Sequence, residues 1–269
     1  MIDYHIHTKL CGHAKGEISE YIETAERLGL SELGFADHFP LNYQPKFSVP
    51  VSAINMKEDE IELYLDMINH SRRHTSSIKI KTGFEVDYYE KDNRFFKEKR
   101  ALYDELDFVI GSIHFFDEIS MDQEEFIKKR NEIGIVNVWK KYFQEMRKLI
   151  ENHRELIDVI GHFDLPKKFG DRIPTELYDL VDEILVLIKE KELVLEINTS
   201  GWYKPVRELY PSIDIIKRAK EHGIEFTIGS DAHSPEEVGR GFQDLMRILE
   251  NFGINRLITF KHHKKNYFK

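Results

Sequence analysis

Cysteine is almost missing from this 269-residue sequence: Cys11 is the one thiol, so no internal disulfide can hold the fold. Also missing is any apolar run long enough to cross a bilayer as a helix. The first residues show no basic segment followed by an apolar stretch, and the expectation is a cytoplasmic protein. Positive charge is in deficit. Lys and Arg number 39 against 48 Asp and Glu, a net charge of −9, which argues against a surface built to hold a long phosphate backbone by counterion release. Neither nucleic acid nor a membrane is expected as a partner; a small molecule fits better. No linker, repeat or low-complexity tract interrupts the chain. With 41% hydrophobic and 32% charged residues it can bury one large core, so residues 1–269 are expected to form one domain. The sequence does not speak to the oligomeric state.

What is present is a regular alternation. Short β-rich runs, "IDYHI", "LGFAD", "IKIKTGFEV", "DFVIGSIHF", "DVIGHFD", "LVLEINTS" and "FTIGSDA", are separated by stretches with apolar residues at helical spacing. "EISEYIETAERLGL" places Ile18, Ile22, Ala25 and Leu28 on one face, and "DLVDEILVLIKEKE" does the same with Leu180, Ile184 and Leu187. The run "DQEEFIKKRNEIGIVNVWKKYFQEMRKLIENHRE" is long enough for two helices broken at Gly134. Seven strand and helix units in alternation predict an α/β fold with a parallel sheet, closed into a distorted (β/α)7 barrel. The closing "FKHHKKNYFK" reads as a basic, solvated tail, with His262 and His263 in it.

Histidine is the residue whose placement is informative. Of thirteen, His70, His74, His153 and His222 fall in helical segments and two in the tail. The others behave differently. His5 and His7 flank Ile6 and so share one face of a strand. His38 in "FADH", His114 in "GSIH", His162 in "IGH" and His233 in "SDAH" follow strand ends, and His13 lies in the loop after the first strand. Glu85 in "GFEVD" and Asp231 in "SDAH" join them. Taken singly, each is more often a hydrogen-bonded histidine or a capping carboxylate than a metal ligand. Converging on one barrel rim, they would be a costly set of buried polar groups unless metal ions bound them.

The ordered set "HIH", "CGH", "ADH", "GFEVD", "GSIHF", "GHFD", "EINTSG" and "SDAH" resembles the PHP (polymerase and histidinol phosphatase) metallohydrolases over essentially the whole chain. "GFEVDYYE", "DFVIGSIHFFD" and "EINTSGWYKPVRELYPS" are similar to the stand-alone histidinol-phosphatase branch. The resemblance implies two to three divalent transition-metal ions (zinc, iron or manganese) at the C-terminal rim. By motif, His5, His7, Glu85 and Asp231 would hold the first. Glu85 would bridge to a second, completed by His114 and His162, and His13, His38 and His233 would hold the third. Glu85 and Asp231 would be the catalytic carboxylates.

Such a cluster is strongly positive and calls for an anion. Closely spaced divalent ions acidify water near neutral pH and clamp phosphoryl oxygens, which suits a phosphate monoester with its poor alkoxide leaving group. The expected activity is hydrolysis of L-histidinol phosphate to L-histidinol and inorganic phosphate, a step of histidine biosynthesis, by direct attack of hydroxide on phosphorus. A PHP phosphoesterase acting on nucleotides, nucleic-acid ends or phosphotyrosine is the alternative, and a metal carrier without activity a third reading. Cys11 lacks a phosphate-loop glycine pattern and is not expected to be a nucleophile. Lys167, Lys168 and Arg207 are the candidate phosphate-binding cations, although the double lysine departs from the arginine that the family often carries there. Asp3, Asp37, Asp87 and Asp164 are candidates to orient ligand imidazoles through the second ring nitrogen.

Overall fold

The computed structural model describes residues 1–41, 54–75, 77–116, 119–121 and 123–268. In chain order the strands are β1 (Ile2–Ile6), β2 (Glu32–His38), β3 (Lys79–Asp87), β4 (Phe108–Ser112), the two-residue β5 (Phe115–Phe116) and β6 (Ile119–Ser120), then β7 (Val159–Ile160), β8 (Val194–Asn198), β9 (Glu225–Gly229), β10 (Leu257–Lys261) and β11 (Lys264–Phe268). Seven of them form one sheet in the order β1-β2-β3-β4-β7-β8-β9, with every neighbouring pair parallel. Past its first and last strands the sheet curls onto itself. His7 N donates to Ala232 O at 2.9 Å and Ala232 N to His5 O at 3.2 Å, a parallel bridge that nearly closes the barrel. The expected distorted (β/α)7 barrel is the observed fold. β1, β4 and β8 are buried along their whole length, because a parallel sheet covered by helices has no solvent face.

The helices are α1 (Ile18–Arg27), α2 (Ile61–His74), α3 (Arg94–Glu98), α4 (Arg100–Glu105), α5 (Glu125–Ile133), α6 (Ile135–His153), α7 (Tyr178–Glu190), α8 (Ile213–Glu221) and α9 (Phe242–Asn251). The break at Gly134 falls where expected, with φ of 81°. α1 buries Ile18, Tyr21, Ile22 and Ala25, but Leu28 lies beyond its end and is 41% exposed. α7 is rotated by one position from expectation. It buries Val181, Ile184, Leu185 and Ile188 and leaves Leu180 and Leu187 half-buried, because four apolar positions compete for the face in so hydrophobic a helix. No described helix is long and apolar enough to cross a membrane.

One continuous apolar core fills the barrel and the space under the helices. At the end opposite the histidines, Gly34 and Gly83 make room for the Phe108 ring; a Cβ at Gly83 would meet it at 2.7 Å and one at Gly34 at 2.8 Å. Phe108 in turn packs on Tyr4, centroids 4.9 Å apart. The basic C-terminal segment is not a solvated tail. β10 and β11 pair as an antiparallel hairpin with His262 and His263 at its turn, both at positive φ. The hairpin is fastened to the barrel floor by Phe260 N donating to Tyr4 Oη at 2.9 Å and by His263, whose Nδ1 donates to Asp158 Oδ2 at 2.8 Å while the ring stacks on Tyr103. A segment rich in Lys and His hid the pairing because only β10, buried from Leu257 to Phe260, is apolar, while β11 is largely exposed and polar.

Candidate metal centre

The C-terminal ends of the parallel strands deliver their side chains to one rim, as barrels of this kind do. β1 carries His5, with His7 just past its end; β2 ends at His38; β3 carries Glu85 and ends at Asp87. His114 and His162 each follow β4 and β7 by two residues, β8 carries Glu196, and Asp231 and His233 follow β9. Asp231 adopts φ of 55°, a left-handed conformation that is costly for a non-glycine residue and is typical of functional sites.

Glu85 is the hub. Its Oε2 lies 3.0 Å from His38 Nδ1, 3.3 Å from His5 Nε2 and 3.6 Å from His7 Nε2. Its Oε1 lies 2.8 Å from His162 Nε2 and 3.7 Å from His114 Nε2. One carboxylate therefore faces two groups of imidazoles with its two oxygens. Asp231 Oδ1 closes the first group at 3.2 Å from His7 Nε2 and 3.8 Å from His5 Nε2. His13, His38 and His233 offer ring nitrogens within 4.8 Å of one another, and the ring nitrogens of His5 and His7 and a carboxylate oxygen of Asp231 lie equally close together.

These donors fit divalent ions on their own chemistry. His5 Nε2, both nitrogens of His7, His38 Nδ1, His162 Nδ1 and His233 Nε2 are buried with no hydrogen-bond partner among the described residues. Each such atom costs on the order of 1–3 kcal/mol if nothing binds it. The other ring nitrogens are assigned by fixed acceptors. His5 Nδ1 donates to Glu196 Oε1 at 2.6 Å, His114 Nδ1 to Asp87 Oδ1 at 2.8 Å, His13 Nδ1 to Cys11 O at 3.1 Å and His233 Nδ1 to Asp231 O at 3.0 Å. Each arrangement turns the Nε2 lone pair inward, the usual outer support of a metal-binding imidazole. Burial opposes charge here, yet the carboxylates of Glu196, Glu85 and Asp231 outweigh it and hold the His5 pKa well above the usual value. Burial and the neighbouring imidazoles of His7 and His13 push His233 down to about 3. The Cys11 thiol, buried and close to the Asp37 charge, is pushed up to about 12, which keeps it protonated and unreactive.

A cavity of about 250 Å³ opens over the cluster, and its rim includes Lys168, Lys204 and Arg240. The three cations expected to grip phosphate thus separate. Lys168 reaches this cavity. Lys167 is buried and faces away, bonded to Asp164 Oδ2 at 2.8 Å and Leu209 O at 2.6 Å. Arg207 lines a neighbouring cavity of about 390 Å³. Successive residues of this 3-10 turn are about 120° apart around its axis, and the double lysine divides between the two cavities. Among the aspartates, Asp87 holds an imidazole as expected and Asp37 sits 3.6 Å from His7 Nδ1. Asp3 and Asp164 instead hold loops: Asp3 accepts from Ser230 N and Gly239 N, and Asp164 from Ser212 N. Glu196 was not singled out from the sequence, although a lone charge inside the buried strand "VLEIN" was a usable signal. Lys204 and Arg240 carried no signal of their own.

With the geometry in place, comparison with known proteins decides the family. Residues 3–200 match the PHP domain and residues 215–249 the PHP-associated segment that accompanies it. The chain belongs to the PHP family. Among its PHP relatives, a probable histidinol-phosphatase of Deinococcus radiodurans is 36% identical over 268 residues, 98% of each chain. The histidinol-phosphatase of Bacillus subtilis is 28% identical, covering 90% of this chain and 96% of its own. A crystal structure of histidinol phosphate phosphatase from Lactococcus lactis, complexed with zinc, L-histidinol and phosphate, superposes with a TM-score of 0.81 at 25% identity and covers 98% of both chains.

Proposed function

We propose that this PHP protein is a metal-dependent phosphoric monoester hydrolase that converts L-histidinol phosphate to L-histidinol and inorganic phosphate. The observation that carries the reading is the Glu85 carboxylate, whose two oxygens face two separate groups of buried imidazoles. The relatives named histidinol-phosphatase, and the similar protein that holds zinc with L-histidinol and phosphate, support the substrate.

Two to three divalent ions, zinc, iron or manganese, would be held by His5, His7, Glu85 and Asp231, by Glu85, His114 and His162, and by His13, His38 and His233. Bound there, they supply Lewis acidity toward water and phosphoryl oxygens. The protein's own contribution is orientation and charge. Glu196 and Asp87 hold the Nδ1 protons of His5 and His114, and Ser112 Oγ donates to Glu85 Oε1 at 2.6 Å, fixing the bridging carboxylate. Lys168 and Lys204 bring positive charge to the mouth of the cavity, where a phosphoryl group would enter. Selectivity for an imidazole and an ammonium falls to the aromatic and acidic side chains of two loops, "NTSGWYKPVRELYPS" after β8 and "HFFDEISMD" after β4, of which residues 117, 118 and 122 lie outside those described.

The test is kcat/KM across a panel of histidinol phosphate, aryl phosphates, nucleoside monophosphates, phosphotyrosine and short single-stranded DNA, at low and moderate salt. Histidinol phosphate should lead by about 30-fold to 1000-fold, equivalent to roughly 2–4 kcal/mol of discrimination. A preference for nucleotides, or a steep loss of oligonucleotide cleavage with salt, would overturn the substrate while leaving the metal centre in place.

A further inference from the structure

Arg240 lies on the wall of the cavity that the histidines line, and its contacts hold its guanidinium in one attitude. Its charged carbon sits 3.8 Å above the Tyr203 ring. Its Nη1 pairs with Glu237 Oε1 at 3.1 Å, and the other oxygen of Glu237 accepts His233 N at 2.9 Å. The backbone is pinned as well: Thr199 Oγ1 donates to Arg240 O at 2.7 Å, and Gly241 lacks the Cβ that would meet the Trp202 ring at 2.8 Å. One face of the guanidinium and one of its nitrogens are thereby occupied. Nε is buried and has no hydrogen-bond partner among the described residues.

We propose that Arg240 is a substrate-binding residue of this site, the cation whose guanidinium edge left open by Tyr203 and Glu237 meets a phosphoryl oxygen. The inference rests on the phosphomonoester reading above. The Arg240 side chain is part-exposed and borders the cavity that the histidines line, so an anion entering there meets a guanidinium already held in place by Tyr203 and Glu237. Arginine suits the role better than lysine. Its planar group keeps its face on Tyr203 and its Nη1 on Glu237 while a further edge remains for the ligand, whereas an ammonium has no such division of edges. The loss of Lys167 and Arg207 from the cavity gives the role weight, since Lys168 and Lys204 are the other cations on its rim. Glu237 competes with the ligand for the same guanidinium and so sets how strongly the anion is held.

The experiment measures the Kd of inorganic phosphate, and separately of L-histidinol, for the metal-loaded protein by titration calorimetry, with metal content checked for each variant. Arg240→Gln should weaken phosphate by about 10-fold to 100-fold and leave L-histidinol unchanged, as expected for a lost charge-assisted hydrogen bond. Arg240→Lys, which keeps the charge but not the fork, should fall between. Glu237→Gln should tighten phosphate, because the guanidinium loses its competitor. Phosphate binding by Arg240→Gln within twofold of wild type, or equal losses for phosphate and L-histidinol, would overturn the role and leave a structural clasp. If Arg240→Gln does not fold, Glu237→Gln decides: phosphate binding that is unchanged or weaker overturns the proposal. Wild-type protein that binds no phosphate would refute the phosphomonoester reading itself, a distinct failure.

Discussion

Glu196 Oε1 lies 2.6 Å from His5 Nδ1, and Glu196 Oε2 accepts the backbone N–H of His162 at 2.8 Å, so one carboxylate on β8 sets both an imidazole of the first group and the loop of the second. Removing its charge should loosen the metal without removing a ligand. Glu196→Gln is expected to lose about 10-fold to 100-fold in zinc affinity, measured by competition with a chromophoric chelator, while its fold, followed by circular dichroism, is retained. Affinity equal to wild type would show that His5 needs no such support.

The same contact explains a glycine. A Cβ at Gly229 on β9 would collide with Glu196 Oε1 and stand 2.5 Å from His5 Cβ. Gly229→Ala should therefore push Glu196 off the imidazole, lower metal content as Glu196→Gln does, and cost about 1–3 kcal/mol of stability through overpacking, read from a urea denaturation midpoint.

Glu85→Ala or His114→Ala should lower turnover on histidinol phosphate by roughly a thousandfold or more, whereas His70→Ala, which removes an exposed ring stacked on His74, should change it by less than about twofold. Wild-type protein should carry two to three transition-metal ions by elemental analysis, and a strong chelator should abolish activity that added metal restores. Equal effects at all three positions would undo the ligand assignment.

His263 fastens the C-terminal hairpin through a bond to Asp158, and its pKa follows from that bond. Burial lowers it, but the hydrogen bond and charge of Asp158 prevail and raise it above the ordinary histidine value; the Tyr103 carbonyl and Asp104 act in the same direction. A folded-state pKa above the unfolded one gives stability that is complete below the unfolded value and is lost as pH rises through the folded one. The urea midpoint of wild type should exceed that of His263→Gln most at about pH 6, and the gap should shrink toward about pH 9. A gap that widens with pH would mean that the neutral ring is the one that holds the hairpin.

The barrel was legible because apolar runs of strand length alternate with amphipathic helices, and the rim because histidines recur at strand ends. What escaped was set by direction and distance in space. Lys167 and Lys168 are neighbours in sequence, yet one faces a buried aspartate and the other the catalytic cavity. Arg240 and Tyr203 are far apart in sequence and stack at 3.8 Å. The hairpin of β10 and β11 was lost because its fastening residue, His263, pairs with Asp158, a partner 105 residues away.

The bridge between Ile6 and Ala232 gives the metal centre a second consequence, for the order in which the molecule comes apart. The ligand-bearing segments on either side of that bridge belong to opposite ends of the chain, His5 and His7 to one and Asp231 and His233 to the other. Ions shared between them would act as a cross-link over more than two hundred residues, reversible by pH or chelation, and unlike a disulfide would need no oxidising compartment. Stripped of metal, the barrel should part first along this line, with amide exchange rising at residues 5–13 and 229–240 before the floor around Phe108 yields.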